Sequence, residues 1–138
     1  MAANVLVDTS FLVAFLNRRD SDHHWATSQA AKSRFPWKTC EPVLSEAFYI
    51  LGPRGAPRLI DLLNTRALIC AFQVGESIKE ILDLLEKYAD VPMSLADACL
   101  VRMTEVMPDP VLLTTDSDFR IYRRNNRQTI PYLSPREA

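Results

Sequence analysis

Four acidic side chains, spread along the chain, are the residues best suited to chemistry in this sequence. Asp8 directly follows the apolar run VLV at 5–7 and Asp116 follows VLLTT, whereas Glu46 and Asp97 fall inside predicted helices. Carboxylate oxygens, with no His or Cys at ligand spacing, favour hard cations such as Mg²⁺ or Mn²⁺. Two carboxylates ~4 Å apart repel by about 4 kcal/mol at an effective dielectric of ~20. If the fold brings these acids together, their repulsion therefore calls for a divalent ion.

Each acid also has a purely structural explanation. Asp8 can cap the turn that follows it, and Asp97 lies in the first turn of its helix, where a negative charge favours the helix dipole. Asp116 and Asp118 can be ordinary turn residues. Glu46 lies at the border of the apolar arc of its helix and can be half exposed, whereas Tyr49 of the same helix is read as a core residue. Their spacing has no local mechanism, so only the fold can decide between the two explanations.

The elements that must position these acids alternate between strands and helices. Apolar runs predict strands at 5–7, 38–40, 67–72 and 111–113, with a last edge strand at 129–133. Helical spacing and capping residues predict a helix after Asp8 and others at about 23–33, 42–51, 55–64, 76–88 and 95–107. This alternation predicts an α/β fold with a mainly parallel sheet covered on both faces. Ligands bind beyond the carboxyl ends of such strands, where Asp8 and Asp116 lie.

Length and composition restrict the function classes. A chain of 138 residues fits one domain, 1–138, and its net charge of −1 provides no overall positive field for nucleic acid. The three glycines exclude a glycine-rich phosphate loop. Cys40, Cys70 and Cys99 are widely spaced among apolar neighbours, which predicts buried free thiols rather than a zinc site or disulfides. The sequence shows neither a membrane-length apolar stretch nor an export signal, so we expect a cytoplasmic protein.

Four sequence segments together resemble a known family. They are LVDTSFLVAFL at 6–16, VLSEAFYIL at 43–51, SLADACLV at 94–101 and LLTTDSDF at 112–119. In this order and in a chain of this length, they resemble the PIN domain family, the small nuclease fold of bacterial and archaeal VapC-type toxins. The resemblance spans essentially the whole chain. It implies a three-layer α/β/α PIN-like fold.

Mapped onto these residues, the resemblance implies a Mg²⁺- or Mn²⁺-dependent endoribonuclease that hydrolyses RNA phosphodiester bonds. The family's catalytic quartet falls on Asp8, Glu46, Asp97 and Asp116. Direct metal ligation is expected from Asp8, Asp97 and Asp116, and Asp118 matches a further acidic position that assists in some members. Glu46 is expected to act partly through a bound water.

Hydroxyl groups beside the acids are also part of the family pattern. The hydroxyl after the first Asp falls on Thr9 or Ser10, and that of the last segment falls on Thr114. The resemblance implies that they bind the acids or the substrate phosphate. Glu41 competes with Glu46 for the helix acid, and we favour Glu46 because the family's acid follows a Val-Leu pair inside the helix.

Basic residues must hold the RNA phosphates, since an acidic pocket alone repels them. A basic stretch follows the last acidic segment directly, and Tyr122 within it can offer a stacking surface for a base. The alternative is a solvated basic face at a helix end. The candidates for phosphate binding are Arg120, Arg123, Arg124 and Arg127, with Arg18 and Arg19 after the first helix as further candidates.

The resemblance also implies partners. VapC-type toxins usually form homodimers and are silenced by a small antitoxin protein, so we expect a homodimer, an antitoxin and an RNA substrate. A non-catalytic PIN-like module that binds RNA or protein is the alternative.

Two other Asp-based folds are disfavoured. A receiver domain needs an acidic pair near the end of the first strand and a Lys after the last strand, but no Lys follows Lys87. A phosphatase with an aspartyl nucleophile needs two Asp spaced by one residue after the first strand, and this chain has Asp8-Thr9-Ser10 there.

Overall fold

A five-stranded parallel sheet forms the centre of the computed structural model, which describes residues 2–136. Its strands are β1 (Asn4–Val7), β2 (Trp37–Thr39), β3 (Leu68–Cys70), β4 (Pro110–Leu113) and β7 (Tyr132–Leu133), in the spatial order β3-β2-β1-β4-β7. The predicted parallel sheet is therefore confirmed. A separate antiparallel pair consists of β5 (Arg123–Arg124) and β6 (Gln128–Thr129).

Within residues 2–136, five α-helices flank the sheet and complete the predicted three-layer α/β/α arrangement. They are α1 (Thr9–Leu16), α2 (His23–Lys32), α3 (Glu41–Asn64), α4 (Ile78–Lys87) and α5 (Leu95–Val106). α1 packs against α2 and α3, whereas α4 packs against α5. Single 3₁₀ turns, Val74–Ser77 and Ser117–Arg120, precede α4 and follow β4.

The two helices predicted at 42–51 and 55–64 form one kinked helix. Gly52 adopts a non-helical backbone with φ 64° and ψ −171°, and Pro53 follows it. Proline has no backbone N–H to continue the helical hydrogen bonds, so the axis changes direction at this pair. α3 therefore consists of two helical segments separated by the non-helical Gly52, which matches the two helices predicted here.

The position of β1 in the core explains the apolar run at residues 5–7. All four of its residues are buried, as expected for a central parallel strand covered on both faces. Trp37 in β2 is fully buried and packs edge-on against Phe11 and Phe15 of α1. This aromatic cluster fixes α1, and with it the residue that begins the helix, against the sheet.

The segment predicted as one edge strand at 129–133 contributes two short strands instead. Gln128 and Thr129 pair with β5, whereas Tyr132 and Leu133 pair with β4 at the sheet edge. Pro131 lies between them, and its missing N–H interrupts a continuous ladder. The predicted edge strand is therefore correct only in its last residues.

Two expectations about burial are wrong. Tyr49, read as a core residue, is 88% exposed. It lies two positions, about 200°, around α3 from the buried Ala47. Cys70 is exposed because it ends β3 at the edge of the sheet, while Cys40 and Cys99 are buried free thiols as predicted. Among residues 2–136, no helix is both long and apolar enough to cross a membrane.

Candidate active site

A cavity of about 350 Å³ lies at the carboxyl edge of the sheet, between α1, α3 and α5. All four acids of the predicted quartet line it, although they come from four separate parts of the chain. The residues that carry polar groups into it are Asp8, Thr9, Ser10, Asp20, Ser21, Asp22, Glu46, Asp97, Thr115 and Asp116.

Asp8 lies at the end of β1 and begins α1. It is 5% exposed, and its Oδ1 accepts hydrogen bonds from the backbone N–H of Phe11 (2.8 Å) and from the hydroxyl of Ser10 (2.7 Å). Its Oδ2 accepts a hydrogen bond from the hydroxyl of Thr114. Asp8 thus caps α1, which is the structural role that the sequence also allowed, and it lines the cavity as well.

The pairing of β1 with β4 explains why Thr114 reaches Asp8. Val7 is in register with Leu113, so the residues that follow these two strands are neighbours. Thr114 is fully buried and does not line the cavity; its hydroxyl donates to Asp8 and accepts from the backbone N–H of Asp116 (2.9 Å). The Thr114 hydroxyl therefore couples the two strand-end acids.

Asp116 begins the 3₁₀ turn that follows β4. Its Oδ1 accepts a hydrogen bond of 2.9 Å from the backbone N–H of Asp118. Asp118 does not line the cavity, but burial and the charge of Asp116 raise its pKa. The structure thus places Asp118 beside the quartet rather than within it.

Asp97 is held at the first turn of α5. Its backbone N–H donates to the hydroxyl of Ser94 (3.0 Å), and its Oδ2 accepts from the backbone N–H of Ser94 (3.3 Å), which completes a capping box. The same Oδ2 accepts a hydrogen bond from the hydroxyl of Tyr122 (3.1 Å). Both contacts fall on one oxygen, and Oδ1 of Asp97 accepts none from residues 2–136.

Glu46 enters the cavity from the first segment of α3. Its Oε1 accepts a hydrogen bond of 2.9 Å from the hydroxyl of Thr9, which links α3 to α1. Glu41, the competing acid, begins α3 and does not line the cavity. The geometry therefore favours Glu46 over Glu41, as the sequence comparison did.

Two further acids line the cavity beside those of the predicted quartet. Asp20 and Asp22 lie between α1 and α2, and Asp22 makes no side-chain cap bond. Asp22 pairs instead with Arg136 at 3.0 Å, and the guanidinium of Arg136 also donates to the carbonyl of Thr115 (2.9 Å). The signal that could have found them is an acidic pair directly after the helix that carries Asp8.

The predicted phosphate-binding arginines lie outside the cavity lining. The guanidinium of Arg123 donates to the carbonyls of residues 120, 121 and 122, and that of Arg124 donates to the carbonyl of Thr104. These contacts stabilise the backbone around β5. Arg120 and Arg127 are exposed.

The stacking role expected of Tyr122 is wrong. Its ring is fully buried, packed edge-on against Tyr88 and Phe119, so it offers no face to a base. Burial, together with the nearby charge of Asp97, raises the pKa of its hydroxyl, which keeps the group protonated as a hydrogen-bond donor.

The electrostatics of the cavity are strongly acidic. Six carboxylates line it, and within the part of the chain that the structure describes no Lys or Arg does. Burial raises the pKa of Asp8 to about 6, and the charge of Asp116 adds to the effect. Burial and Asp116 likewise raise the pKa of Asp97. These shifts indicate that negative charge is costly here without a cation.

The donor set fits a hard divalent cation in its chemistry, because every candidate ligand is a carboxylate oxygen. Between residues 2 and 136, however, no three His, Cys, Asp or Glu side chains are arranged to hold one ion together. The carboxylates thus surround a shared space without forming a closed ligand shell.

Comparison with known proteins agrees with the geometry. The PIN domain family model matches residues 5–125. The fold is similar to the crystal structure of Mycobacterium tuberculosis VapC20, a toxin that cleaves the sarcin–ricin loop, with a TM-score of 0.71 over 83% of this chain and 92% of that chain. The two sequences are 20% identical, so this likeness concerns the fold. No curated protein matches the sequence. Because the family model covers most of the chain, the protein belongs to the PIN domain family.

Proposed function

We propose that this chain, as one PIN-like domain, is a metal-dependent endoribonuclease and the toxin of a toxin–antitoxin pair. The observation that carries the proposal is the convergence of Asp8, Glu46, Asp97 and Asp116 on one cavity at the carboxyl edge of the sheet. A similar fold in VapC20 belongs to a toxin that cleaves RNA, which supports RNA as the substrate class.

Asp8, Asp97 and Asp116 are the residues that would hold Mg²⁺ or Mn²⁺, with Asp118 at the edge of the set. Water ligands would complete the shell, as Mg²⁺ usually retains several of them. When bound, such an ion polarises a phosphodiester and lowers the pKa of a coordinated water. Glu46, the most exposed of the four acids, would position a water rather than bind the ion directly.

The surrounding hydroxyl groups hold the acids in place and favour their charged forms. Ser10 and Thr114 donate to Asp8, which opposes the rise in its pKa caused by burial. Tyr122 donates to Asp97 and acts in the same direction. Thr9 orients Glu46. These four residues are therefore positioning residues: Ser10, Thr114 and Tyr122 hold Asp8 and Asp97 and oppose the rise in their pKa, and Thr9 aims Glu46 at the cavity.

The family further suggests a homodimer, a small antitoxin protein that covers the acidic cavity, and action on RNA in the cytoplasm. We propose these partners together with the activity.

Cleavage of a labelled RNA by the purified protein tests the proposal. We expect products with added Mg²⁺ or Mn²⁺, none in chelator, and a loss of at least 100-fold for Asp8→Asn. Asp90→Asn is the matched control, because Asp90 is an exposed carboxylate outside the cavity lining. Cleavage that survives Asp8→Asn unchanged contradicts the mechanism. Tight RNA binding without any cleavage would favour the non-catalytic PIN-like module instead.

A further inference from the structure

A second groove, of about 330 Å³, lies directly beside the acidic cavity. It runs between the end of α1 and the kink of α3. Val13 and Ile50 line both the groove and the cavity, so the two spaces are adjacent.

The charge of this groove is opposite to that of the cavity. Its charged lining residues are Arg18, Arg54 and Arg58, and no carboxylate lines it. All three arginines are exposed, and none forms an ion pair with an acid in residues 2–136. Because the chain as a whole carries a charge of −1, this positive charge is a local feature.

The backbone holds these arginines in one place. Arg54 and Arg58 are four residues apart on the second segment of α3, so they share one face of the helix. Arg58 donates a hydrogen bond of 3.2 Å to the carbonyl of Leu16, at the end of α1. A guanidinium has five N–H donors, so this bond leaves most of them available to a ligand. Arg18 approaches the groove from the residues that follow α1.

The junction between the two spaces is apolar. Ile50 is 58% exposed there. An apolar side chain beside several arginines matches the chemistry of a nucleic-acid strand, in which charged phosphates alternate with riboses and bases. Phosphates bind arginine in a bidentate manner, and a ribose or base covers an apolar side chain. An acidic polypeptide could also contact the arginines, but the substrate class proposed for the adjoining cavity is RNA.

We infer that Arg18, Arg54 and Arg58 form a phosphate-binding track that leads an RNA strand into the acidic cavity. The inference rests on the proposed function for its substrate class. In this arrangement RNA approaches on the side of the cavity that Val13 and Ile50 form. The arginines at the end of α1 and on α3 then bind the substrate, rather than the arginines around β5.

RNA binding measured in chelator tests the track without requiring cleavage. The probe is a fluorescent RNA oligonucleotide of mixed sequence, and anisotropy is recorded at several salt concentrations. For Arg18→Gln/Arg54→Gln we expect the Kd to rise about tenfold or more. The slope of log K against log salt should fall by ~1.4, which is about 0.7 for each lost contact with a single strand.

Two control variants make the result specific. Arg34→Gln/Arg66→Gln removes two exposed arginines that do not line either space, and its Kd and slope should stay at the wild-type values. Arg18→Lys/Arg54→Lys keeps the charge and should retain the slope. Thermal unfolding of each variant verifies the fold.

The outcomes separate this inference from the proposed function. An unchanged Kd and slope in Arg18→Gln/Arg54→Gln, or an equal change in the Arg34/Arg66 control, overturns the track, even when RNA is cleaved. Groove-dependent binding of polyglutamate that exceeds RNA binding at equal charge also overturns it, in favour of an acidic protein partner. Groove-dependent RNA binding with no cleavage under any divalent ion supports the track and refutes the nuclease.

Discussion

The hydroxyl of Tyr122 donates a hydrogen bond of 3.1 Å to Oδ2 of Asp97 from a ring that is wholly buried. Tyr122 follows the 3₁₀ turn after β4, whereas Asp97 lies in the first turn of α5. The bond therefore connects the α5 acid to the segment that also carries Asp116. A residue that looked like a surface for bases is a positioning residue for one of the four carboxylates.

Tyr122→Phe should lower cleavage without unfolding the protein. The ring keeps its packing, and only the hydrogen bond is lost, which costs about 1 kcal/mol of unfolding free energy. Because the hydroxyl lowers the pKa of Asp97, its removal raises that pKa. The acidic limb of the kcat against pH profile should therefore move to higher pH. Rates measured from about pH 5 to pH 8 at saturating Mn²⁺ test this expectation.

Tyr88→Phe is the matched control for that variant. Tyr88 is also buried, and its hydroxyl accepts a hydrogen bond of 2.9 Å from the backbone N–H of Arg123 rather than binding an acid. We expect a similar loss of stability with an unchanged pH profile. Identical profiles for Tyr122→Phe and the wild type contradict the positioning role.

Asp8→Asn should stabilise the metal-free protein at neutral pH. Burial raises the pKa of Asp8 from 3.8 to about 6, so the folded state prefers the protonated form. The protonated carboxyl of Asp8 is compatible with burial, so its contribution to stability is fully present below about pH 3.8. This contribution is lost as the pH rises through about 6 and the buried carboxyl ionises. At 1.36 kcal/mol per pKa unit, the cost of the charge reaches at most about 3 kcal/mol.

Urea unfolding in chelator between about pH 4 and pH 8 measures this effect. The stability gain of Asp8→Asn should be largest at about pH 8 and should shrink toward pH 4. Asp90→Asn should show no such trend, because its carboxylate is exposed. A variant that is less stable than the wild type at about pH 8 argues against a costly buried charge.

Divalent ions should stabilise the wild-type fold, because a cation neutralises the carboxylates that line the cavity. At a free ion concentration 100 times the Kd, binding adds about 2.7 kcal/mol to the free energy of unfolding. Asp97→Asn/Asp116→Asn removes two of the expected ligands and should abolish the increase in Tm with Mn²⁺ or Mg²⁺. Asp90→Asn should keep it. Equal shifts for all three proteins would place the ion elsewhere.

Gly52→Ala should destabilise the fold through the backbone alone. Gly52 has φ 64° and ψ −171°, a conformation that side chains disfavour, although no heavy atom would lie within 4 Å of the added Cβ. We expect a loss of about 1–3 kcal/mol in unfolding free energy. Gly75→Ala is the control, since it also meets no neighbour and lacks a positive φ, and its effect should stay within about 0.5 kcal/mol. A Gly52→Ala variant as stable as Gly75→Ala contradicts the strain at the kink.

Local patterns in the sequence were sufficient to predict most of the fold. Apolar runs and capping residues identify the strands and helices because burial and hydrogen bonding at an element's ends involve only near neighbours. They also place Asp8 and Asp116 at strand ends, and a parallel sheet brings such ends to one edge. Glu46 and Asp97 could be selected among other acids only through the resemblance to the PIN domain family.

The tertiary structure alone decides which residues share the site. Whether Tyr122 faces solvent or Asp97, and whether Arg54 lies near Arg18, depends on helix packing and on the kink at Gly52. Residues far apart along the chain meet through crossover connections and strand register, and no periodicity within a single element encodes those distances. For this protein, the sequence determines the elements and the acids that they carry, whereas packing determines the cavity, its supports and its neighbouring basic groove.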